Sequence, residues 1–478
     1  MENKQKKRDS VVFGSIFVLA AALVVFIGID AGHLFNITNS LDDPDAGSVS
    51  VEKGYIGRAI SLLETGTFNY GKEGEYIGGG QRGPVYVLLL ALGFLVIGKY
   101  VGVVYGLNFL LFLLSVGGLW MIARKFFTGW LYYLPPLFLA LYAGTASRVW
   151  SARNEALILF LAVFFLFAFL KYRDTRKTIW LFITAIVFSF WVLEKPILLY
   201  FLPVLVILFI FLGRPYVQTR RLVMHMGLFV FAVILVIGSW SLRNYSVLGI
   251  WQLGSGGHVL LIRSTQVDFS KPEIISLALS YAVGDFIGSR MYAGYPLDTK
   301  PKGWDPAVLD RWARPGWVLE DYDGEMLTRL ELDRKMYKEA ISKIRERPLK
   351  FTLLSFVNFL RLNSPMNHKG QEIIRLFMGE HEGIRVWQKT FIILGVRGIW
   401  IIFLLVTLFA AIKHLKDWRV WGVVFFIILY INGTYSFLTH AEARYLVSIL
   451  PFYFLFFTEG LRLIFWRWRA VNPRHQES

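Results

Sequence analysis

Residues 1–31 read MENKQKKRDSVVFGSIFVLAAALVVFIGIDA, a basic segment followed by an apolar run from Val11 to Ala31. A helix of about 20 apolar residues crosses the hydrocarbon core of a bilayer, so this run predicts a transmembrane helix. The run is too long for the apolar part of a signal peptide and no small-residue cleavage site follows it, so we expect it to be retained. The basic residues before it place the N-terminus in the cytoplasm by the positive-inside rule.

Similar apolar runs recur along the chain, which has 478 residues, 55% of them hydrophobic and only 18% charged. This composition excludes a soluble enzyme. We predict a mostly α, polytopic membrane protein with about ten transmembrane helices, further interfacial helices and an extracytoplasmic α or α+β region. The net charge of +17 comes mostly from Lys and Arg at the ends of the runs, so nucleic acid is not an expected partner. The absence of cysteine excludes disulfides and thiol catalysis.

Three regions are predicted along the chain. Residues 1–242 form an N-terminal membrane domain whose first outer loop, residues 32–84, is acidic. Residues 243–387 form an extracytoplasmic region with interfacial helices, one of them after Pro348. Residues 388–478 form C-terminal membrane helices and a basic tail, so both termini are expected in the cytoplasm. The protein is then a multi-pass protein of the cytoplasmic (inner) membrane with an extracytoplasmic site.

The apolar run from Pro84 to Gly98 is too short to cross the bilayer comfortably. If it is interfacial or re-entrant, every later cluster of Lys and Arg lies in the cytoplasm, so we prefer that topology. Further predicted elements are two crossings at Trp130–Ala143 and Leu222–Leu242, and two polar-region helices at Tyr55–Glu64 and Glu331–Arg345.

The first half of the first outer loop contains four acids, Asp42, Asp43, Asp45 and Glu52, and the cation Arg82 lies near the end of the loop. A carboxylate near the membrane surface can act as a general base on an acceptor hydroxyl, or bind a divalent cation such as Mg²⁺ or Mn²⁺. Arg82 lies in a Gly-rich turn before Pro84, where its guanidinium and nearby backbone N–H groups could bind a phosphate. The loop therefore predicts half of an active site.

Later outer segments contain further candidates: Glu155, Lys195, Arg243, His258 and Arg444. Each cation alone is also explained as a helix-end cap, and Glu155 as the partner of a structural Arg–Glu pair. Their convergence on one outer vestibule would instead indicate an anion-binding site. No metal-ligand spacing of His or Cys is present, which argues against zinc.

Five short motifs follow one another along the chain: Y-x-x-x-A-x-x-L-x-x-T-G at 55–66, RGPVY at 82–86, LEKP at 193–196, LRNY-x-x-x-G at 242–249 and HAEARYLVSILP at 440–451. Their order resembles that of bacterial integral-membrane glycosyltransferases of the C-type fold. This group includes the protein O-mannosyltransferases and the lipid A aminoarabinose transferases. The motifs cover nearly the whole chain as an ordered set.

This resemblance implies transfer of a hexosyl or pentosyl group, with inversion, from a polyprenyl-phosphate sugar to a lipid, glycan or protein acceptor. The family's phosphate-binding cation maps to Arg82, and Arg243 could supply a second one; the matched motifs also contain Tyr55. The family's acid usually lies four residues before the position of Tyr55, where this chain has Val51. We therefore rank Glu52 and Asp45 ahead of Asp43 as the base.

Two other function classes stay open from the sequence. A transporter or flippase of lipid-linked saccharides would need polar groups inside several spans, whereas most spans here are polar only at their ends. A non-catalytic envelope-assembly protein would use the polar region after Arg243 to bind a partner.

Overall fold

The computed structural model describes residues 2–41, 53–68, 83–213, 218–248, 251, 253, 256–283, 318–320, 325–365, 386–439 and 441–471. Its α-helices, in chain order, are α1 (Glu2–Asp30), α2 (Lys53–Thr65), α3 (Pro84–Ile97), α4 (Val101–Phe126), α5 (Leu134–Leu141), α6 (Ala143–Ala146), α7 (Glu155–Thr175), α8 (Thr178–Glu194), α9 (Leu202–Gly213), α10 (Thr219–Leu248), α11 (Gly257–Ser264), α12 (Lys271–Val283), α13 (Arg329–Glu346), α14 (Pro348–Leu362), α15 (Val386–Lys413), α16 (Trp418–Leu438) and α17 (Leu450–Val471). A two-stranded antiparallel sheet pairs β1 (Val318–Glu320) with β2 (Met326–Thr328).

Six helical segments of the described chain are long and apolar enough to cross a membrane, and four shorter apolar helical segments accompany them. The protein is therefore a mostly α, polytopic membrane protein, as predicted. The helices predicted at Tyr55–Glu64 and Glu331–Arg345 are confirmed as α2 and α13. A capping box starts α13, because the Thr328 hydroxyl and the Glu331 carboxylate each accept the other's backbone N–H.

Contacts between helix ends define two opposite faces of the helix bundle. On the basic face, Lys125 at the end of α4 pairs with Asp174 at the end of α7. The Asp9 carboxylate of α1 accepts hydrogen bonds of 2.7 Å from the hydroxyls of Tyr132 and Tyr133, so α1 begins on this face too. On the opposite face, called here the site face, the amide of Asn108 in the first half of α4 donates to the carbonyl oxygen of Ser151, just before α7.

Both ends of α3 lie on the site face. Its first turn contacts Glu194 at the end of α8. Two residues after its end, the carbonyl oxygen of Lys99 accepts the backbone N–H of Leu41, which lies beyond the end of α1. A helix of 14 residues is about 21 Å long, less than the thickness of the hydrocarbon core. The described contacts thus agree with the topology in which the Pro84 run does not cross.

Two predicted crossings differ from the structure in detail. The predicted span at Trp130–Ala143 is not one helix: the chain passes from the basic face to the site face through α5, α6 and 3₁₀ turns that end at Trp150. The predicted span at Leu222–Leu242 is too short, because α10 continues to Leu248. Arg243 therefore lies within a helix and not at the start of a loop. Arg and Leu have high helix propensities, and nothing before Gly249 breaks the helix.

A second group of helices, α11 to α14, packs beside the spans. A small apolar core joins α11 to α13 through Leu260, Leu261, Leu332, Met336 and Ala340. Arg263, fully buried at the end of α11, joins α11 to α14 within this group and also joins it to the span α16. Its guanidinium donates hydrogen bonds to the Ser355 hydroxyl at 2.7 Å and to the Ser436 carbonyl oxygen at 3.2 Å. All its hydrogen bonds satisfy neutral acceptors, so Arg263 has a structural role.

The helix α14 has apolar side chains on both its exposed and its buried sides. Leu349 is 86% exposed and Phe356 is 62% exposed, whereas Leu354 is buried together with the polar Ser355 and Arg361. Apolar side chains on the exposed side fit contact of that side with lipid.

Trp150 fixes α1 against the rest of the bundle. Its indole N–H donates 2.8 Å to the carbonyl oxygen of Val24, and its ring fills the space beside Gly28 so closely that a Cβ there would overlap it. Small residues allow this kind of close helix packing in membranes.

We expect the Gly28→Val variant to be less stable than the wild type by about 1–3 kcal/mol, because the added side chain has no room beside Trp150. Gly14→Val is the matched control, since no atom lies within 4 Å of a Cβ at position 14 of the same helix. The thermal unfolding midpoints of both variants in detergent would be compared with the wild type. Equal midpoints would show that Trp150 does not restrict this position.

Candidate functional site

A buried carboxylate, Glu194, holds three segments of the site face together. Its Oε1 accepts the backbone N–H of Tyr86 at 3.0 Å, and its Oε2 accepts the side-chain amide of Asn154 at 2.6 Å. The backbone N–H of Val85 also donates to this carboxylate. Glu194 thus satisfies the free N–H groups in the first turn of α3, where the helix dipole also favours a negative charge.

Sequence features explain why α3 begins at this point. Pro84 occupies the first helical position, where a missing N–H costs nothing and the fixed φ angle favours a helix. Gly83 packs directly against the Glu194 carboxylate, and a Cβ there would overlap it. The sequence Gly83-Pro84 therefore lets the carboxylate approach the helix start closely.

Four charged side chains lie together beside this carboxylate: Glu155, Lys195, Glu442 and Arg444. Arg444 forms an ion pair with Glu442 in the segment between α16 and α17. Lys195 follows α8, and Glu155 is the first residue of α7. Lys195 and Arg444 both interact electrostatically with Glu155 and Glu442. We call these four residues the charge cluster.

Glu155 is buried, and its Oε2 atom makes no hydrogen bond to any residue that the structure describes. A buried oxygen without a partner costs about 1–3 kcal/mol. Such an atom can accept a hydrogen bond from a ligand or from a cation that changes position. The sequence-based expectation of a simple Arg–Glu pair does not account for it.

Burial lowers the pKa of Lys195 to about 8, and the neighbouring carboxylate of Glu155 partly offsets this effect. The Lys195 ammonium lies 4.5 Å from the ring centroid of Tyr445, a cation–π contact. That ring in turn stacks on Tyr435 with a centroid separation of 4.6 Å. Aromatic rings thus replace water around part of the Lys195 charge.

Arg444 keeps its charge. Burial opposes ionisation, but the neighbouring Tyr445 and the carboxylates of Glu442 and Glu155 raise its pKa above the ordinary value. Burial also raises the pKa of Tyr445 to about 12, so its hydroxyl stays protonated. At neutral pH the cluster therefore presents one permanent cation and one that titrates near pH 8.

Arg243 has different neighbours. Its guanidinium carbon lies 5.0 Å from the ring centroid of Trp240 and 5.5 Å from that of Phe68, and it also contacts the side-chain oxygen of Asn244 at 3.2 Å. Phe68 follows α2, so Arg243 joins α10 to the end of the first-loop segment that contains Tyr55. Lys195 and Arg444 thus each interact electrostatically with Glu155, whereas Arg243 lies beside Phe68, which follows α2.

Several predicted site residues lie outside the described residues, namely Asp42, Asp43, Asp45, Glu52 and Arg82. Tyr55 is described: it is buried in α2, and its ring meets that of Tyr86 edge-on at 5.2 Å. His258 belongs to α11, but the structure does not describe the position of its side chain. The preceding Gly257 donates its backbone N–H to the Asp333 carboxylate at 2.9 Å, so this glycine allows close packing of α11 on α13.

No group of three or more His, Asp or Glu side chains in the described part of the chain is arranged to hold a metal ion. The carboxylates for which binding of Mg²⁺ or Mn²⁺ was one alternative belong to the first loop, among residues that the structure does not describe.

Sequence reasoning missed the clamp formed by Glu194 and Asn154. The LEKP motif drew attention to Glu194, but its hydrogen-bond partners Tyr86 and Asn154 lie 108 and 40 residues away. A single sequence contains no signal for such a pairing. The stack of Tyr435 on Tyr445 was missed for the same reason.

No protein-family model matches the sequence, and the comparison with curated proteins gives no match. Solved structures do match. One is the archaeal oligosaccharyltransferase AglB from Archaeoglobus fulgidus, in complex with an inhibitory peptide and a dolichol-phosphate, at 13% identity and a TM-score of 0.45. The match covers 98% of this chain but 52% of AglB, so the chain spans about half the length of that protein.

Another is ArnT from Cupriavidus metallidurans bound to undecaprenyl phosphate, at 14% identity and a TM-score of 0.37, covering 94% of this chain and 78% of ArnT. Both proteins are membrane glycosyltransferases of the C-type fold, the group that the motif order resembles.

The aromatic contacts of Tyr445 can be tested apart from any activity. Tyr445→Phe keeps the ring beside Lys195 and Tyr435, whereas Tyr445→Leu removes both contacts. We expect Tyr445→Leu to be about 1–3 kcal/mol less stable than Tyr445→Phe, from the lost cation–π and stacking contacts. Thermal unfolding in detergent measures the difference, and similar midpoints would contradict the described geometry.

Proposed function

We propose that this protein is a glycosyltransferase that moves a sugar from a polyprenyl-phosphate donor to an acceptor at the outer face of the cytoplasmic membrane, with inversion. The observation that carries the proposal is the charge cluster. Two cations, Lys195 and Arg444, lie with a buried carboxylate oxygen of Glu155 on one face of a membrane-spanning bundle. Charged groups in such a place are costly, which supports a functional role.

The site face is proposed to be extracytoplasmic. The opposite face contains Arg124, Lys125, Arg173 and Arg176 at the ends of α4 and α7. An excess of Lys and Arg marks the cytoplasmic side of bacterial membrane proteins. This assignment places the charge cluster and the start of α3 outside, together with the acids of the first loop.

The chemistry follows from charge. Transfer breaks the bond between the anomeric carbon of the sugar and a phosphate oxygen, and negative charge grows on that oxygen as the bond breaks. Lys195 and Arg444 would stabilise this charge, with Arg82 and Arg243 as further candidates. The same step forms a bond from the acceptor oxygen to the opposite side of the anomeric carbon, so the configuration inverts. A first-loop carboxylate, Glu52, Asp45 or Asp43, would take the acceptor's proton.

An apolar path for the isoprenoid tail is available beside these groups. The helix α3 begins at the Glu194 clamp and has exposed apolar side chains at Leu88, Leu92 and Leu95. Exposed apolar surface of this extent matches the hydrocarbon of a lipid tail. The acceptor class, lipid, glycan or protein, would be identified by comparing surface glycans and lipids with and without the gene by mass spectrometry.

We expect Lys195→Met and Arg444→Met to reduce glycosyl transfer by roughly 10²-fold or more each, because each removes a cation that stabilises the leaving phosphate. Lys343→Met is the matched control, since Lys343 pairs with Asp268 at an exposed site in the helix group α11 to α14. Transfer by purified protein from a radiolabelled polyprenyl-phosphate sugar measures the effect. Control-like activity in both cluster variants would exclude the cluster from the reaction.

The first loop is tested separately. We expect Arg82→Ala, and either Glu52→Gln or Asp45→Asn, to abolish transfer while leaving thermal unfolding unchanged, because only the phosphate contact or the base is lost. Unchanged transfer in all three variants would refute this part of the site. If the wild type transfers no sugar yet exchanges lipid-linked saccharide across liposome membranes, the protein is a flippase instead.

The pH dependence follows from Lys195. Its pKa of about 8 means that the ammonium loses its proton as the pH rises from 7 to 9, so affinity for a polyprenyl phosphate should fall over this range. The Lys195→Arg variant keeps its charge and should bind with little change between pH 7 and 9. Equilibrium binding of undecaprenyl phosphate in detergent, monitored by intrinsic fluorescence, measures both profiles. A parallel loss of affinity in the variant would assign the titration to another group.

A further inference from the structure

We propose that Glu194 is a positioning residue that fixes the geometry of the charge cluster without touching the donor. The part of this inference that concerns activity rests on the proposed function. The part that concerns structure rests only on the contacts of Glu194. Glu194 is 5% exposed, and each of its two carboxylate oxygens accepts a hydrogen bond inside the protein.

The partners of Glu194 are chain neighbours of candidate site residues. Asn154 directly precedes Glu155, and Glu194 itself directly precedes Lys195. The third partner, the first turn of α3, follows Gly83. One carboxylate therefore restrains the backbone on both sides of the Glu155–Lys195 contact and at the start of α3. A shift of about 1 Å in such groups is enough to cost roughly 10²-fold in rate.

A second layer of hydrogen bonds supports the same segments. The Tyr86 hydroxyl donates to Asn108 at 3.0 Å, and the Asn108 amide donates to the carbonyl oxygen of Ser151 at 2.7 Å. Tyr86 also donates its backbone N–H to Glu194. The turn before α7 is thus linked to α3 twice, once through Asn154 and once through Asn108. Networks in which each buried group is satisfied are rigid.

Gly83 supports this reading. Its Cα faces the Glu194 carboxylate, and a Cβ would overlap three atoms of that group. Its φ angle of −59° is available to any residue, so the requirement for glycine here is steric and comes from the carboxylate itself.

The test exchanges the charges of the Glu194–Asn154 pair. In the wild type, the amide of Asn154 donates a hydrogen bond of 2.6 Å to Glu194. In Asn154→Asp two carboxylates face each other at this place, so the hydrogen bond is lost and the two segments should move apart. Adding Glu194→Gln restores one donor and one acceptor in reversed order, and keeps a single negative charge. We expect the single variant to lose about tenfold in affinity for undecaprenyl phosphate and about tenfold in the rate of sugar transfer. In the double variant both quantities should recover to within about threefold of the wild type.

A structural readout works without activity. The native chain has no cysteine, so Leu88→Cys on α3 and Tyr200→Cys after Lys195 can carry spin labels at exposed positions. The distance distribution between them should broaden in Asn154→Asp and narrow again in the double variant. Tyr453→Phe controls for general stability, because it removes a buried hydroxyl bonded to Asn363 and Asn432 outside the charge cluster. It should lower the unfolding midpoint while leaving phosphate affinity and label distance unchanged.

The outcomes separate the two claims. If Asn154→Asp lowers the unfolding midpoint but leaves phosphate affinity and label distance at wild-type values, Glu194 is structural only and the inference is overturned. No recovery in the double variant overturns it as well. If the wild type neither binds undecaprenyl phosphate nor transfers sugar, the proposed function fails, while the spin-label distances still decide whether Glu194 positions α3 against Lys195.

Discussion

The carboxylate of Glu194 is buried where α3, α8 and the turn before α7 meet. Removing an ionised carboxylate from water costs several kcal/mol unless hydrogen bonds and opposite charge compensate. Here the compensation comes from the amide of Asn154, from two backbone N–H groups in the first turn of α3, and from the positive end of that helix. These groups have little freedom to move, and the position of the neighbouring charge cluster follows from theirs.

Much of the fold could be predicted from sequence because membranes impose strong physical rules. Apolar runs of the required length gave the spans, and Pro84 with its short run gave a helix that stays on one side. The failures came where tertiary packing overrides local pattern. The crossing predicted at Trp130–Ala143 is broken because the segment up to Trp150 bends to place its indole against α1, and α10 continues past Arg243 because no local signal ends it.

The site could be predicted only by residue type. The motif order drew attention to Glu155, Lys195 and Arg444, whose charges interact in the structure. The sequence could not predict which contacts hold these side chains in place. The hydrogen bond from Asn154 to Glu194 and the ring of Tyr445 beside Lys195 both join segments that are far apart in the chain. The sequence also did not predict that Arg243 has different neighbours from Lys195 and Arg444. Its guanidinium lies against the rings of Trp240 and Phe68.

The charge cluster contains two acids and two bases, and so it neutralises itself when empty. Glu442 already occupies Arg444 in an ion pair. Under the proposed function, an incoming phosphate would have to compete with Glu442 for the guanidinium, which would weaken ground-state binding of both the donor and the polyprenyl phosphate that remains after transfer. Such competition would favour turnover over retention of the product, because Glu442 could pair with Arg444 again after the transfer and so help release the lipid product into the bilayer.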